Sequence, residues 1–245
     1  MRRFTAFLLV GLIGSSLASA QPEEAPLAPA VRFPSLPERA ASAAGFVPAG
    51  WVAEKEVRGD LNGDGVADLL LVLRMADSKN IVSNEELGIE ELDTNPQMLV
   101  VAFANPGKND FSLAVADHQL IPRREQPNQE PAFEDAAIVQ GKLRVTLNLF
   151  MTMGGWYSSK TTYTFRHQDG CFRMIGYDSE ALRRNTGETE SVSINYLTRK
   201  AKVTRGTLES DKTRESWQAL KSSRLYCLAE IGDGLAFEAE VRPFP

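Results

Sequence analysis

Oxygen-bearing side chains recur in the stretch Asp60-Leu61-Asn62-Gly63-Asp64-Gly65-Val66-Ala67-Asp68. Counted from Asp60, the donors Asp60, Asn62, Asp64 and Asp68 fall at positions 1, 3, 5 and 9, with Gly65 at position 6. A hard cation such as calcium takes about six to eight oxygens at ~2.3–2.6 Å. A loop with this spacing can aim three carboxylates, the Asn62 amide and the Val66 backbone carbonyl at one point, because Gly65 lets the chain turn sharply. The expected ligands are therefore Asp60, Asn62, Asp64, Val66 and Asp68. Leu71 stands at position 12, where a helix-loop-helix calcium hand carries a bidentate glutamate. Without that glutamate the expected affinity is weak, with Kd on the order of 10⁻⁴–10⁻³ M, suited to surroundings rich in calcium. The same residues also read as a metal-free turn in which Asp and Asn side chains bond their own backbone.

The segment 59–72, from Gly59-Asp60 through Asp68-Leu69-Leu70-Leu71-Val72, resembles the calcium-binding segment of FG-GAP repeats, the units of integrin-like β-propellers. There an Asp-rich loop joins two strands of a blade. The resemblance implies calcium at Asp60, Asn62, Asp64, Val66 and Asp68. It does not imply a full propeller, which needs at least about four blades, because a single such loop is visible here. Gly50-Trp51, Phe165-Arg166, Ile175-Gly176-Tyr177 and Ser193-Ile194-Asn195-Tyr196-Leu197-Thr198 are also similar to a family of exported bacterial proteins that carry one such loop. No activity follows from that likeness.

Other catalytic constellations are missing from the sequence. It contains no Gly-x-Ser-x-Gly elbow, no His-Glu-x-x-His helix, no cysteines at metal spacing and no phosphate-cradling loop. His118 and His167 are the two histidines, one in a loop-like stretch and one at a hairpin end, where surface or half-buried rings are expected. Trp156, Tyr157, Tyr163, Phe165, Phe172 and Tyr177 read as cross-strand core pairs, or alternatively as a flat ligand platform beside Gly154 and Gly155. Two functional classes follow. One is a non-enzymatic exported domain, stabilised by calcium and interacting with a protein or glycan partner. The other is an exported hydrolase of envelope or environmental polymers, working through converging carboxylates.

Whatever its chemistry, the loop must be positioned by strands. Residues 69–73 are apolar at every position, which predicts a strand covered on both faces. Residues 52–58 alternate but carry charge, which predicts an exposed strand leading into the loop. Further strands are expected at 98–104, 110–116, 137–139, 143–150, 157–167, 171–177, 191–196 and 200–204. Gln140-Gly141 and Gln168-Asp169-Gly170 are expected as hairpin turns. Short helices are expected at 36–44, capped by Ser35, and at 215–221. A strand is expected at 224–231, and the acidic stretch 76–96 is expected as an insertion loop. The fold class is thus mainly β, antiparallel sheets in a meander with one or two short helices, and not a full propeller.

Residues 1–20 read as an export signal, with Arg2 and Arg3, an apolar core at 7–13 and Ala18-Ser19-Ala20 before the cleavage point. Residues 21–35 read as a Pro/Ala-rich tether, and residues 36–245 as one β-rich domain. The apolar core is shorter than the ~20 residues of a membrane span, so a periplasmic or secreted protein without a membrane span is expected. The formal charge is −5, and loss of Arg2 and Arg3 makes the chain more acidic still. An acidic chain repels phosphates and excludes nucleic acid as a partner. Cys171 and Cys227 are the two cysteines, and in an oxidising compartment they are expected to pair. Such a bridge stabilises the fold by about 4 kcal/mol on the chain-entropy account.

Overall fold

The computed structural model describes residues 28–85 and 88–244. The expected export signal, and the tether as far as residue 27, lie outside the described residues.

In chain order the strands are β1 (Arg39–Ala40), β2 (Trp51–Gly59), β3 (Asp68–Met75), β4 (Ile81–Ser83) and β5 (Glu91–Asp93). They continue with β6 (Gln97–Ala104), β7 (Phe111–Asp117), β8 (Phe133–Val139), β9 (Lys142–Leu149) and β10 (Tyr157–Gln168). The last four are β11 (Cys171–Arg183), β12 (Glu188–Asn195), β13 (Lys200–Thr207) and β14 (Ser210–Ala219). Single 3-10 turns occupy Ala43–Phe46, Ser78–Asn80 and Leu228–Glu230. The protein is mainly β, as its strand spacing implies, and every strand pairing is antiparallel.

The strands form a five-stranded sheet in the order β1-β7-β6-β3-β2, a two-stranded ribbon β4-β5, and a seven-stranded sheet running β14-β13-β12-β11-β10-β9-β8. The seven-stranded sheet is a pure meander, because each strand pairs with its neighbour in sequence. Its tight turns are set by residues that tolerate left-handed backbone. Gln140 and Gly141 have φ of 51° and 69°, and Asp169 and Gly170 have φ of 51° and 77°. These are the positive dihedrals that a two-residue hairpin needs.

β3 is the hydrophobic centre. Leu69, Leu70, Leu71, Val72 and Leu73 are all fully buried. Leu70 and Val72 face the large cluster shared with Leu143, Val145, Tyr163 and Phe165 of the seven-stranded sheet. Leu69, Leu71 and Leu73 face the opposite way, against Phe46, Trp51, Met98 and Val100, with Phe33 and Leu36 packed on top. Alternation of side chains across a strand puts the odd and even residues on opposite faces, and here both faces are covered. The two sheets are also joined by an ion pair between Lys55 of β2 and Asp135 of β8, and by Gly59. A Cβ at Gly59 would come within 2.9 Å of Ile138 Cγ2.

Four sequence expectations are corrected. Residues 36–44 do not form a helix. Arg39 and Ala40 pair with Ser112 and Phe111 as a short edge strand, followed by the 3-10 turn. Burying Leu36, Ala40, Ala43 and Phe46 against the five-stranded sheet outweighs the helical propensity of an Ala-rich run. Residues 215–221 do not form a helix either, because 215–219 complete β14, whose Trp217 pairs with Lys202. Residues 224–231 are not a strand. Their backbone pairs with the sheet at the bridge between Arg173 and Cys227, and they then turn at Leu228–Glu230. Within the acidic stretch 76–96, expected as an insertion loop, the ribbon β4-β5 forms.

Cys171 and Cys227 are disulfide-bonded, with Cα atoms 5.9 Å apart. The bridge ties residues 220–244 to the β10–β11 hairpin. This segment lies over the seven-stranded sheet, inserting Leu228, Ile231 and Ala239 into the core with Leu225, Tyr226 and Phe237 beside them. Tyr163 donates its phenolic O–H to the Gly234 carbonyl at 2.5 Å. A Cβ at Gly234 would come within 2.6 Å of the Leu120 carbonyl oxygen, so only glycine fits this approach.

Candidate functional site

The 60–67 loop closes the β2–β3 hairpin, where Gly59 stands opposite Asp68. Its polar side chains fold back on the backbone. Asp60 Oδ1 accepts from the Gly63 N–H at 2.6 Å, and Oδ2 accepts from the Gly65 N–H at 2.9 Å. Asn62 Oδ1 accepts from the Asp64 N–H at 2.9 Å, and its amide donates to Asp64 Oδ2 at 3.0 Å. Asp64 Oδ1 accepts from the Val66 N–H at 2.8 Å. Gly63 and Gly65 have φ of 86° and 82°, a conformation that costs other L-residues roughly 1–2 kcal/mol.

Asp68 differs from the rest. It is fully buried, with Oδ2 accepting from the Leu61 N–H at 2.8 Å and Oδ1 from the Ala104 N–H at 2.9 Å. One carboxylate thus joins the start of the loop, the start of β3 and the end of β6. Leu61 is buried beside it and seats the loop in the core. Electrostatics divide the loop in the same way. The Gly65 and Gly63 N–H groups hold the Asp60 carboxyl below the usual carboxylate range. Burial pushes Asp68 up, against the pull of the Leu61 and Ala104 N–H groups, and the charge of Asp64 pushes it further.

Among the described residues, no three His, Cys, Asp or Glu side chains converge in a group that could hold a metal ion. The expected donors share one loop, but their oxygens are turned onto N–H groups. Their chemistry still suits a hard cation. Each of these side-chain oxygens accepts one hydrogen bond and keeps a second acceptor site. Among the described residues, Asp60, Asp64 and Asp68 have no Lys or Arg within ion-pair distance.

The other candidates separate cleanly. Tyr163, Phe165, Phe172 and Tyr177 are buried core rings. Tyr157 is half-buried, and Trp156 is 68% exposed, so no coplanar platform stands beside Gly154 and Gly155. His118 stacks on Phe33 with centroids 4.3 Å apart. His167 packs between Phe103 and Phe172. Four carboxylates that line cavities, Glu188, Glu190, Glu238 and Glu240, carry bonds of their own. Glu188 bonds Arg183 at 3.1 Å, Glu190 bonds Arg205 at 2.8 Å and Glu238 bonds Arg242 at 2.7 Å. Glu240 accepts the N–H groups of Lys221 and Ser222.

Sequence reasoning passed over a row of hydroxyls. Tyr157, Ser159 and Thr161 of β10 share a face with Tyr177 and Ser179 of β11, and all five line a cavity of about 430 Å³ beneath residues 234–244. The alternation Tyr-x-Ser-x-Thr-x-Tyr carried the signal, since every second residue of a strand points the same way.

The fold and the loop together define a two-sheet antiparallel β protein with an Asp/Asn-rich hairpin loop. No protein-family model, curated protein or solved structure matches this chain. No helix among the described residues is long and apolar enough to cross a membrane.

Proposed function

We propose that the protein is an exported, periplasmic or secreted β-domain with a non-enzymatic structural or interaction role, in which calcium stabilises the fold. The ion would be held by Asp60, Asn62, Asp64, Asp68 and the Val66 carbonyl. The observation that carries this reading is the Asp68 carboxylate, buried without a cationic partner and bonded to Leu61 and Ala104, beside a loop that adds two more carboxylates. A divalent cation supplies the positive charge that this loop lacks. Its binding would fix the entry to β3, the most buried strand of the fold. The disulfide supports export, because such bonds persist in oxidising compartments.

Thermal unfolding in calcium, in magnesium and in chelator tests the reading. At a calcium concentration about tenfold above Kd, binding adds roughly 1.4 kcal/mol, which raises the melting temperature by about 3–6 °C for a chain of this size. Asp64→Ala should abolish the rise and leave the chelated protein nearly unchanged. Equal melting temperatures in calcium and chelator, with no heat in a calcium titration, would overturn it.

A further inference from the structure

We propose that the cavity between the seven-stranded sheet and residues 234–244 binds a neutral polyhydroxylated ring, a hexopyranose sugar. The proposal extends the interaction half of the reading above and uses no residue of the 60–68 loop. The cavity volume of about 430 Å³ lies within the ~300–1,000 Å³ usual for small-molecule sites.

Its floor departs from the logic of a core. The inward face of β10 and β11 is apolar at Phe165, Phe172 and Met174, and these side chains are fully buried or nearly so. Further along the same strands the face changes to Thr161, Ser159 and Ser179 while still covered by the C-terminal segment. Thr161 and Ser179 stand directly opposite each other in register and are 6% and 2% exposed. Their hydroxyls bond each other at 3.0 Å. The Tyr177 phenol bonds with this pair and the Tyr157 phenol with Ser159, so the floor is a connected set of hydroxyls that keeps spare lone pairs. A face otherwise built of apolar side chains thus carries acceptor sites that suit a ligand donating O–H groups.

The walls and mouth select the class of ligand. Phe237 and Phe244 line the cavity from the covering segment, and Phe244 meets Tyr157 edge to face with centroids 6.2 Å apart. Aromatic walls suit the C–H faces of a pyranose, and the hydroxyl floor suits its O–H edge. A wholly apolar ligand would strand the hydroxyls. The charged residues of the lining, Glu238 and Arg242, bond each other at 2.7 Å, so the cavity presents no net charge to an ionic ligand.

Saturation-transfer NMR and calorimetry on the full chain, with glucose, galactose and N-acetylglucosamine as probes, test the assignment. At least one pyranose is expected to bind. The double variant Thr161→Val/Ser179→Ala should weaken it by roughly tenfold or more, the worth of one or two hydrogen bonds, while keeping the wild-type melting temperature. If that variant fails to fold, Tyr157→Phe, at a half-buried position, takes its place with the same expected direction. Binding of none of the three sugars overturns the proposal. Binding that survives undiminished in the folded variant also overturns it. Titrations in calcium and in chelator separate this result from the fate of the calcium reading.

Discussion

Asp68 and Gly234 act at the scale of single residues, and both act through what their surroundings cannot accommodate. Asp68→Asn keeps the shape of the side chain but turns an N–H₂ towards either the Leu61 or the Ala104 N–H, where the carboxylate accepted from both. Loss of one buried bond and the facing of two donors should cost about 1–3 kcal/mol. Urea unfolding in chelator reads this directly, so that any calcium effect stays out of the measurement. Gly234→Ala sets a methyl group against the Leu120 carbonyl and the Leu147 side chain. An expected loss of roughly 1–3 kcal/mol follows from such overpacking, and a weaker Tyr163 bond to the Gly234 carbonyl should accompany it. An unchanged unfolding midpoint in Gly234→Ala would mean that the segment shifts freely at this point. The loop donors were legible in sequence as a spaced set. The burial of Asp68 was not, because its partner Ala104 lies on another strand and no local pattern announces it.

At the scale of elements, the segment after β14 takes the place of a covering layer and is held by the disulfide and by two carboxylates. Cys171→Ser/Cys227→Ser should lose about 4 kcal/mol, read as a lowered denaturation midpoint. Glu230 accepts the Cys227 N–H at 2.7 Å, which, with Arg224, holds its carboxyl below the usual range. The Lys221 and Ser222 N–H groups hold Glu240 down in the same way. A carboxyl lowered on folding contributes stability above its ordinary value of 4.5, and this contribution is lost as pH falls through the lowered folded values. Hydrogen-exchange protection at Lys221, Ser222 and Cys227 should therefore fall below about pH 4.5, before protection in β3 changes. Equal loss of protection at both places would refute a locally released segment. This element was the one least legible in sequence. Hairpins announced themselves through Gln140-Gly141 and Asp169-Gly170, whose positive φ belongs to the turn alone. β14 did not, because it is an edge strand exposed on both faces and lacks the alternation that marks a half-buried strand. Its helix-favouring Glu215, Gln218 and Ala219 yield to the ladder offered by β13.

For the molecule as a whole, the question is whether two sheets make one folding unit. The large cluster draws Leu70, Val72, Leu99 and Val101 from the five-stranded sheet and Val145, Tyr163, Phe165 and Val192 from the seven-stranded one. Neither sheet can expose its inner face without exposing the other. The second cluster, around Leu71, Trp51 and Phe46, lies on the far side of β3, and because Leu70 and Leu71 are adjacent in one strand, its loss should accompany that of the first. Covalent spacing thus couples the two cores through β3. The three tryptophans allow a direct test. Trp51 is 7% exposed, whereas Trp156 and Trp217 are 68% and 67% exposed, so Trp156→Phe/Trp217→Phe leaves a buried reporter on the five-stranded sheet at little cost in stability. Urea unfolding followed by Trp51 fluorescence should then coincide with unfolding followed by far-ultraviolet circular dichroism, to which the long meander contributes seven of the fourteen strands. Coincident midpoints and slopes are the mark of a single cooperative transition. A separate, earlier fluorescence transition would divide the protein into two units and would confine the stabilising reach of the 60–68 loop to the smaller sheet.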